Sequence, residues 1–84
     1  DAELLASCYR ESLWLAAESG CESIAFPCIS TGIFGYPAAE ACRIAVAATR
    51  EWTNHHELPR RVIFCCFSTS DAALYQRELQ AGRV

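Results

Sequence analysis

The run Ile24-Ala-Phe-Pro-Cys-Ile-Ser-Thr-Gly-Ile-Phe-Gly-Tyr-Pro37 constrains what this chain can fold into more than any other feature. It joins an apolar, strand-like stretch to a helix through a loop with two glycines. Pro37 stands where a first helical residue belongs, because its fixed φ suits that position and its missing N–H is not needed there. Gly32 and Gly35 free the backbone before it, so several N–H groups can converge on one concavity at the positive end of the helix. A phosphate-like anion fits such a place, and an ordinary strand-to-helix turn uses the same residue types; the pattern alone leaves both open. Ser30-Thr31-Gly32-Ile33-Phe34-Gly35 lacks the lysine and spacing of a Walker phosphate loop, and Gly32-Ile-Phe-Gly35 is not the dinucleotide fingerprint.

Around this loop the spacing predicts an α-β-α-β-α order. Residues 2 to about 19 read as a helix with Leu5, Cys8, Ser12, Leu15 and Ala16 on one stripe and Glu3, Arg10, Glu11 and Glu18 opposite, stopped by Gly20. Trp14 falls on the charged face, either as an exposed ring or as cover for an element outside this chain. Residues 23–28 are short and apolar and read as a buried strand whose end Pro27 marks. A second amphipathic helix is expected from residue 37 to about 53, with Ala41, Ile44, Ala45, Ala48 and Trp52 inward and Glu40, Arg43, Arg50 and Glu51 outward. Residues 54–59 read as a loop and 61–67 as a second buried strand. Ser68 to Ser70 lead into a last helix carrying Leu74, Tyr75 and Leu79, capped by Ser70 or Asp71 and ended by Gly82. The two strands are expected to be parallel, joined by a right-handed helical crossover. Both read as buried on both faces, which two strands and three helices cannot achieve alone, so neighbouring strands are expected elsewhere.

Composition points the same way. Eighty-four residues make one small domain at most, and 52% hydrophobic with only 20% charged residues is apolar for a chain that must stand alone at that size. The net charge is −3, and the seven basic residues are all arginines scattered along the chain, so no basic stripe for nucleic acid is present. No apolar run approaches the roughly 20 residues of a membrane span, and the N-terminus carries no signal pattern; a soluble, cytoplasmic protein is expected. Six cysteines at 8, 21, 28, 42, 65 and 66 form no spaced pairs of the CxxC kind and fall within expected helices and strands. They are read as reduced and space-filling, with no metal site, and Cys65 and Cys66 on opposite faces of their strand.

Residues 24–37 resemble the second ligand loop of macrodomains, the Appr-1''-p processing family, in its MacroD type. The likeness extends to Cys8-Tyr9 and Ser12-Leu13, to Ser23-Ile24-Ala25-Phe26-Pro27, and to Phe64-Cys65 through Phe67, Asp71 and Tyr75. It covers nearly the whole chain yet only the C-terminal half of that domain, so residues 1–84 are expected to form the C-terminal part of one macrodomain. The resemblance implies an incomplete α-β-α-β-α portion of a three-layer α/β/α fold. It also implies ADP-ribose, or an ADP-ribosylated substrate, as ligand and the missing N-terminal half as partner. By position, Ser30, Thr31, Gly32, Ile33, Phe34 and Gly35 would wrap the diphosphate and hold the distal ribose. Phe34 would pack beside that ribose, and Phe67 would offer its ring to the adenosine. Without the resemblance, Phe67 at a strand end reads as a core residue. Cys28 departs from the alanine that the family pattern carries there.

The activity implied for the complete domain is hydrolysis of ADP-ribosyl esters, either removing ADP-ribose from proteins or deacetylating O-acetyl-ADP-ribose. In the family the reacting water is held between diphosphate and distal ribose, by positioning and charge rather than by a protein nucleophile. The adenine-reading acid, the asparagine-bearing segment and the glycine-rich first loop with its acidic residue belong to the other half. No catalytic residue and no cofactor are therefore expected in this chain, which alone would be inactive. The competing readings are a reader module that binds ADP-ribose without chemistry, and an inactive fragment. His55 and His56 invite pairing with Cys28 or Ser30 as nucleophile, but a helix of roughly 25 Å separates them from the loop, so a solvated pair is the better reading.

Overall fold

A computed structural model describes residues 2–27 and 37–81. Five elements follow one another: helix α1 (Ala2–Glu18), strand β1 (Ser23–Pro27), helix α2 (Ala38–His55), strand β2 (Arg61–Cys65) and helix α3 (Thr69–Ala81). β1 and β2 pair in parallel, with Ser23 opposite Arg61 and Pro27 opposite Cys65. The α-β-α-β-α order and the parallel pair are those the sequence predicts, and together they are a part of an α/β sandwich. Residues 28–36, which include Cys28, all of Ser30–Gly35 and Tyr36, lie outside the described residues, as does Gly82.

α1 ends in the manner its glycine dictates. The Cys21 N–H reaches back to the Ala16 carbonyl at 2.9 Å and the Gly20 N–H to that of Ala17 at 3.0 Å, while Gly20 takes φ +75°. This paired closure needs a left-handed residue, which glycine adopts without a Cβ penalty. Cys21 thus lies beyond the helix, not within an element as expected. The buried stripe of α1 is Leu5, Tyr9, Leu13 and Ala16, not the expected Leu5, Cys8, Ser12, Leu15 and Ala16. Cys8 is exposed, Leu15 is 58% exposed, and the Ser12 hydroxyl bonds the Cys8 carbonyl at 2.9 Å on its own helix. Tyr9 decides the rotation: its ring meets Phe26 of β1 edge-on at 5.0 Å, a preferred aromatic geometry with a large buried area. Trp14 is exposed in this chain, as both of its readings require.

α2 buries a wider arc than its predicted stripe. Cys42, Val46 and Thr49 join Ala41, Ala45 and Ala48 in the interior, and Ile44 and Trp52 pack at the margin. The reason is that α2 packs against both α1 and α3. Its partner α3 contributes Tyr75, whose ring stands 4.9 Å from Phe64, and Phe64 in turn stacks on Phe26 at 6.2 Å. Arg50, expected on the outer charged face, is partly buried and donates to the carbonyls of Glu78 and Leu79, with the first bond at 3.1 Å. It therefore supplies positive charge and donors where the last turn of α3 has unpaired carbonyls.

Where α2 meets β2 the turn is fixed by side chains. The Trp52 indole N–H donates to the Leu58 carbonyl at 2.9 Å, Pro59 is fully buried, and Arg60 and Arg61 both donate to the Glu22 carbonyl, which ties the starts of the strands together. Among the described residues the strands are covered on one face only. Ile24, Phe26, Val62 and Phe64 face the helices, whereas Ser23, Ala25, Pro27, Arg61, Ile63 and Cys65 are exposed. Cys65 and Cys66 do diverge as expected, but only Cys66 fills space in the core; Cys65 is exposed. The described residues thus supply a helical layer for one face of the sheet only.

Candidate functional site

Parallel pairing brings the carboxyl ends of the two strands side by side, with Pro27 beside Cys65. From that edge the chain runs on one side into residues 28–36 and on the other into Cys66 and Phe67. Open α/β sheets take their ligands at this edge, because helix N-termini and loop backbone donors gather there. β2 stops at Cys65, two residues short of the expected end, which releases Phe67 from the sheet. Its ring is 86% exposed. Among the described residues it does not pack in the core.

The two helices that follow the strands begin differently. α3 is capped by its own sequence: Ser68 Oγ accepts the Asp71 N–H at 3.1 Å, and the Ser68 carbonyl takes the Ala72 N–H at 3.1 Å. The cap is Ser68 rather than the expected Ser70 or Asp71, because the earlier end of β2 lets the helix start at Thr69. α2 has no such arrangement. Pro37 occupies the cap position, one place earlier than expected, with φ −60° and ψ 147° and no side-chain cap bond. Its carbonyl accepts the Ala41 N–H at 3.0 Å, so the first-turn N–H groups of Ala38, Ala39 and Glu40 precede the first intrahelical bond. Among the described residues no side chain caps this start, so its first-turn donors and the positive end of the helix dipole face the side on which residues 28–36 enter. Glu40 in this first turn carries the opposing charge. The signal for the bare cap was in the sequence, since Gly35-Tyr36-Pro37 offers no serine, threonine, aspartate or asparagine.

Of the sequence-predicted site residues, Phe67 is at the strand edge, and Ser30, Thr31, Gly32, Ile33, Phe34 and Gly35 fall outside the described residues. The histidines belong elsewhere. His55 is the last residue of α2 and His56 its C-terminal cap, an 18-residue helix away from Pro37, or about 27 Å at 1.5 Å per residue. His56 lies flat on Trp52, with centroids 3.7 Å apart and planes 10° apart, and its Nδ1 lies 3.0 Å from the Trp52 carbonyl. It is a packing partner of the indole. Among the described residues no three His, Cys, Asp or Glu side chains gather in a way that could hold a metal ion. Cys42 is the one described thiol pushed well up, to about 11, chiefly by burial and then by the negative charge of Glu78. That holds it as an inert core group.

The sequence and the fold are shared with known proteins. Residues 1–45 match the family model described as the Macro domain. A macro domain-containing protein of Chlorobaculum tepidum is 55% identical over 82 residues, which cover 98% of this chain and 48% of that protein. An O-acetyl-ADP-ribose deacetylase of Cronobacter sakazakii is 46% identical across 94% of the chain and 44% of its own length. The human ADP-ribose glycohydrolase MACROD2 is 47% identical across 92% of the chain and 18% of its length. Among solved structures, the Oceanobacillus iheyensis macrodomain with ADP superposes with a TM-score of 0.88 at 39% identity, covering 95% of this chain and 42% of that one. The chain belongs to the macrodomain family, in its MacroD type. It spans about half the length of the first curated relatives it matches.

Proposed function

We propose that the chain is the C-terminal part of a single macrodomain which, when complete, binds ADP-ribose and hydrolyses ADP-ribosyl esters. The substrates are mono-ADP-ribosylated proteins or O-acetyl-ADP-ribose. The observation that carries this reading is the ring of Phe67, 86% exposed two residues beyond the carboxyl end of β2. A large aromatic ring held out of the core at a ligand edge is a stacking platform for a base. In this reading Phe67 takes the adenosine. Ser30, Thr31, Gly32, Ile33, Phe34 and Gly35 wrap the diphosphate and distal ribose, and the uncapped start of α2 adds its dipole.

The chain holds one side of the cradle and no catalytic group. Hydrolysis depends on the portion of the domain that the relatives carry and this chain does not. Support for the ester-hydrolase reading comes from relatives named O-acetyl-ADP-ribose deacetylase and ADP-ribose glycohydrolase. A cytoplasmic location belongs to the same reading. Cys8, Cys21, Cys42, Cys65 and Cys66 are all free, as reducing compartments keep them, and no helix among the described residues is long and apolar enough to cross a membrane. Nucleic acid has no primary role, the arginines being dispersed.

The test is turnover by the complete protein on a mono-ADP-ribosylated substrate and on O-acetyl-ADP-ribose. Release of free ADP-ribose or acetate supports the reading. Normal ADP-ribose affinity with no turnover on either would make the protein a reader instead.

A further inference from the structure

Phe67 takes the base in the proposed function, yet its own packing does not aim it. Its ring is 86% exposed and lies outside the core cluster of the described residues. What fixes its direction is the backbone on either side. β2 stops at Cys65 and α3 starts at Thr69, so the link between them is Cys66-Phe67-Ser68 alone. On one side of Phe67, Cys66 packs against the core cluster. On the other, Ser68 is bound to the first turn of α3 twice: its Oγ accepts the Asp71 N–H and its carbonyl the Ala72 N–H, each at 3.1 Å. A third bond, at 3.2 Å, joins the hydroxyls of Ser68 and Ser70. Phe67 thus stands as a single residue between two anchored neighbours, with the direction of its Cα–Cβ bond set before any ligand arrives.

We propose that Ser68 is a positioning residue for ligand binding, which keeps the link short and so holds the Phe67 ring out at the carboxyl edge of the sheet. The role presupposes the adenosine platform proposed for Phe67. Ser70 and Asp71 are side chains that can also cap a helix, and a cap at Ser70 would lengthen the link from residues 66–68 to residues 66–70. Phe67 would then lie on a looser run, and binding would have to order it at a cost in affinity. The rest of α3 would stay in place, since Tyr75 packs on Phe64 and Arg50 donates to the carbonyls of Glu78 and Leu79 at the far end. The effect of losing the Ser68 acceptor therefore falls on the site more than on the fold.

The test is calorimetric titration of the complete protein with ADP-ribose, for the parent, Ser68→Ala, Phe67→Ala and the double variant. Ser68→Ala should raise Kd by about three- to tenfold, a part of what ordering one residue's backbone costs, and by less than Phe67→Ala does. In the Phe67→Ala background it should change nothing, because no ring is left to aim. Ser68→Asn caps a helix about as well as serine and should restore parental affinity. Ser68→Gly loses the acceptor at a smaller cost to the helix and should weaken binding as Ser68→Ala does. Parental affinity in folded Ser68→Ala or Ser68→Gly would make Ser68 a helix cap alone and overturn the proposal. An equal loss with and without the Phe67 ring, or no rescue by Ser68→Asn, would overturn it too. Equal affinity of the parent and Phe67→Ala would refute the stacking role and this one with it, whereas a loss in Phe67→Ala without one in Ser68→Ala would refute the positioning role alone.

Discussion

Replacing Phe67 with alanine separates binding from folding more cleanly than any other change in this molecule. The ring is 86% exposed and stands beyond the end of β2, so its loss removes almost no buried area. Apolar burial is worth about 25 cal/mol per Å², and a ring that buries little contributes little to the fold. Stability of the complete protein should stay within about 0.5 kcal/mol of the parent, as for surface substitutions generally. If the ring stacks on the adenine, binding should weaken by about 1–3 kcal/mol, the cost of deleting a base-stacking aromatic. At 1.4 kcal/mol per factor of ten, that is roughly a 5- to 150-fold rise in Kd. The assay is calorimetric titration of the complete protein and its Phe67→Ala variant with ADP-ribose, and with ribose 5-phosphate as a ligand that lacks the base. Affinity for ADP-ribose should fall, and any weak binding of ribose 5-phosphate should not change. Unchanged ADP-ribose affinity in a folded variant would refute the stacking role, and a large loss of stability would refute the claim that the ring lies outside the packing.

Four other changes probe separate links. Gly32→Glu should abolish ADP-ribose binding in the complete protein, by bringing bulk and negative charge to the diphosphate; titration with parental affinity would remove the loop from the site. Arg50→Met keeps an apolar stem but drops both bonds to the Glu78 and Leu79 carbonyls, so denaturant unfolding should show a loss of about 1–2 kcal/mol, less than a fully buried charged bond is worth. Thr49 is buried with its hydroxyl unpartnered, and Thr49→Val should be neutral or stabilising by about 1 kcal/mol in the same assay. Cys42 holds its proton to about pH 11 when folded against 9.0 for an ordinary thiol, so its stabilising contribution is full below pH 9 and is lost as pH rises towards 11. Unfolding free energies across pH 8–11 should therefore fall more steeply in the parent than in Cys42→Ala.

Much of this architecture could be read from local chemistry. Gly20 closing α1, the strand at Ile24–Phe26 and the amphipathic α2 each rest on a residue type with few alternatives. What the sequence left open was settled by tertiary contacts. α1 carries apolar side chains around most of its circumference, including Leu4, Leu5, Cys8, Tyr9, Leu13, Trp14 and Leu15. Periodicity alone could not choose between two neighbouring stripes, and the contact of Tyr9 with Phe26 did. The cap of α3 lay among Ser68, Thr69, Ser70 and Asp71, all plausible, and the early end of β2 selected Ser68. Arg50 looked solvent-facing because the helix end that it serves lies 28 residues away in sequence. At the carboxyl edge of the sheet, the proposed ligand role of Phe67 comes from family resemblance, since an aromatic at a strand end reads as core until the end of the strand is known.

The most direct measurement is a titration of the complete protein with ADP-ribose, using ADP and ribose 5-phosphate as controls. Saturable binding that prefers ADP-ribose to either part of it is the predicted result, because the loop after β1 and the ring of Phe67 are each assigned a different portion of that ligand. A folded complete protein that binds none of the three, or binds ADP and ADP-ribose alike, would contradict the account.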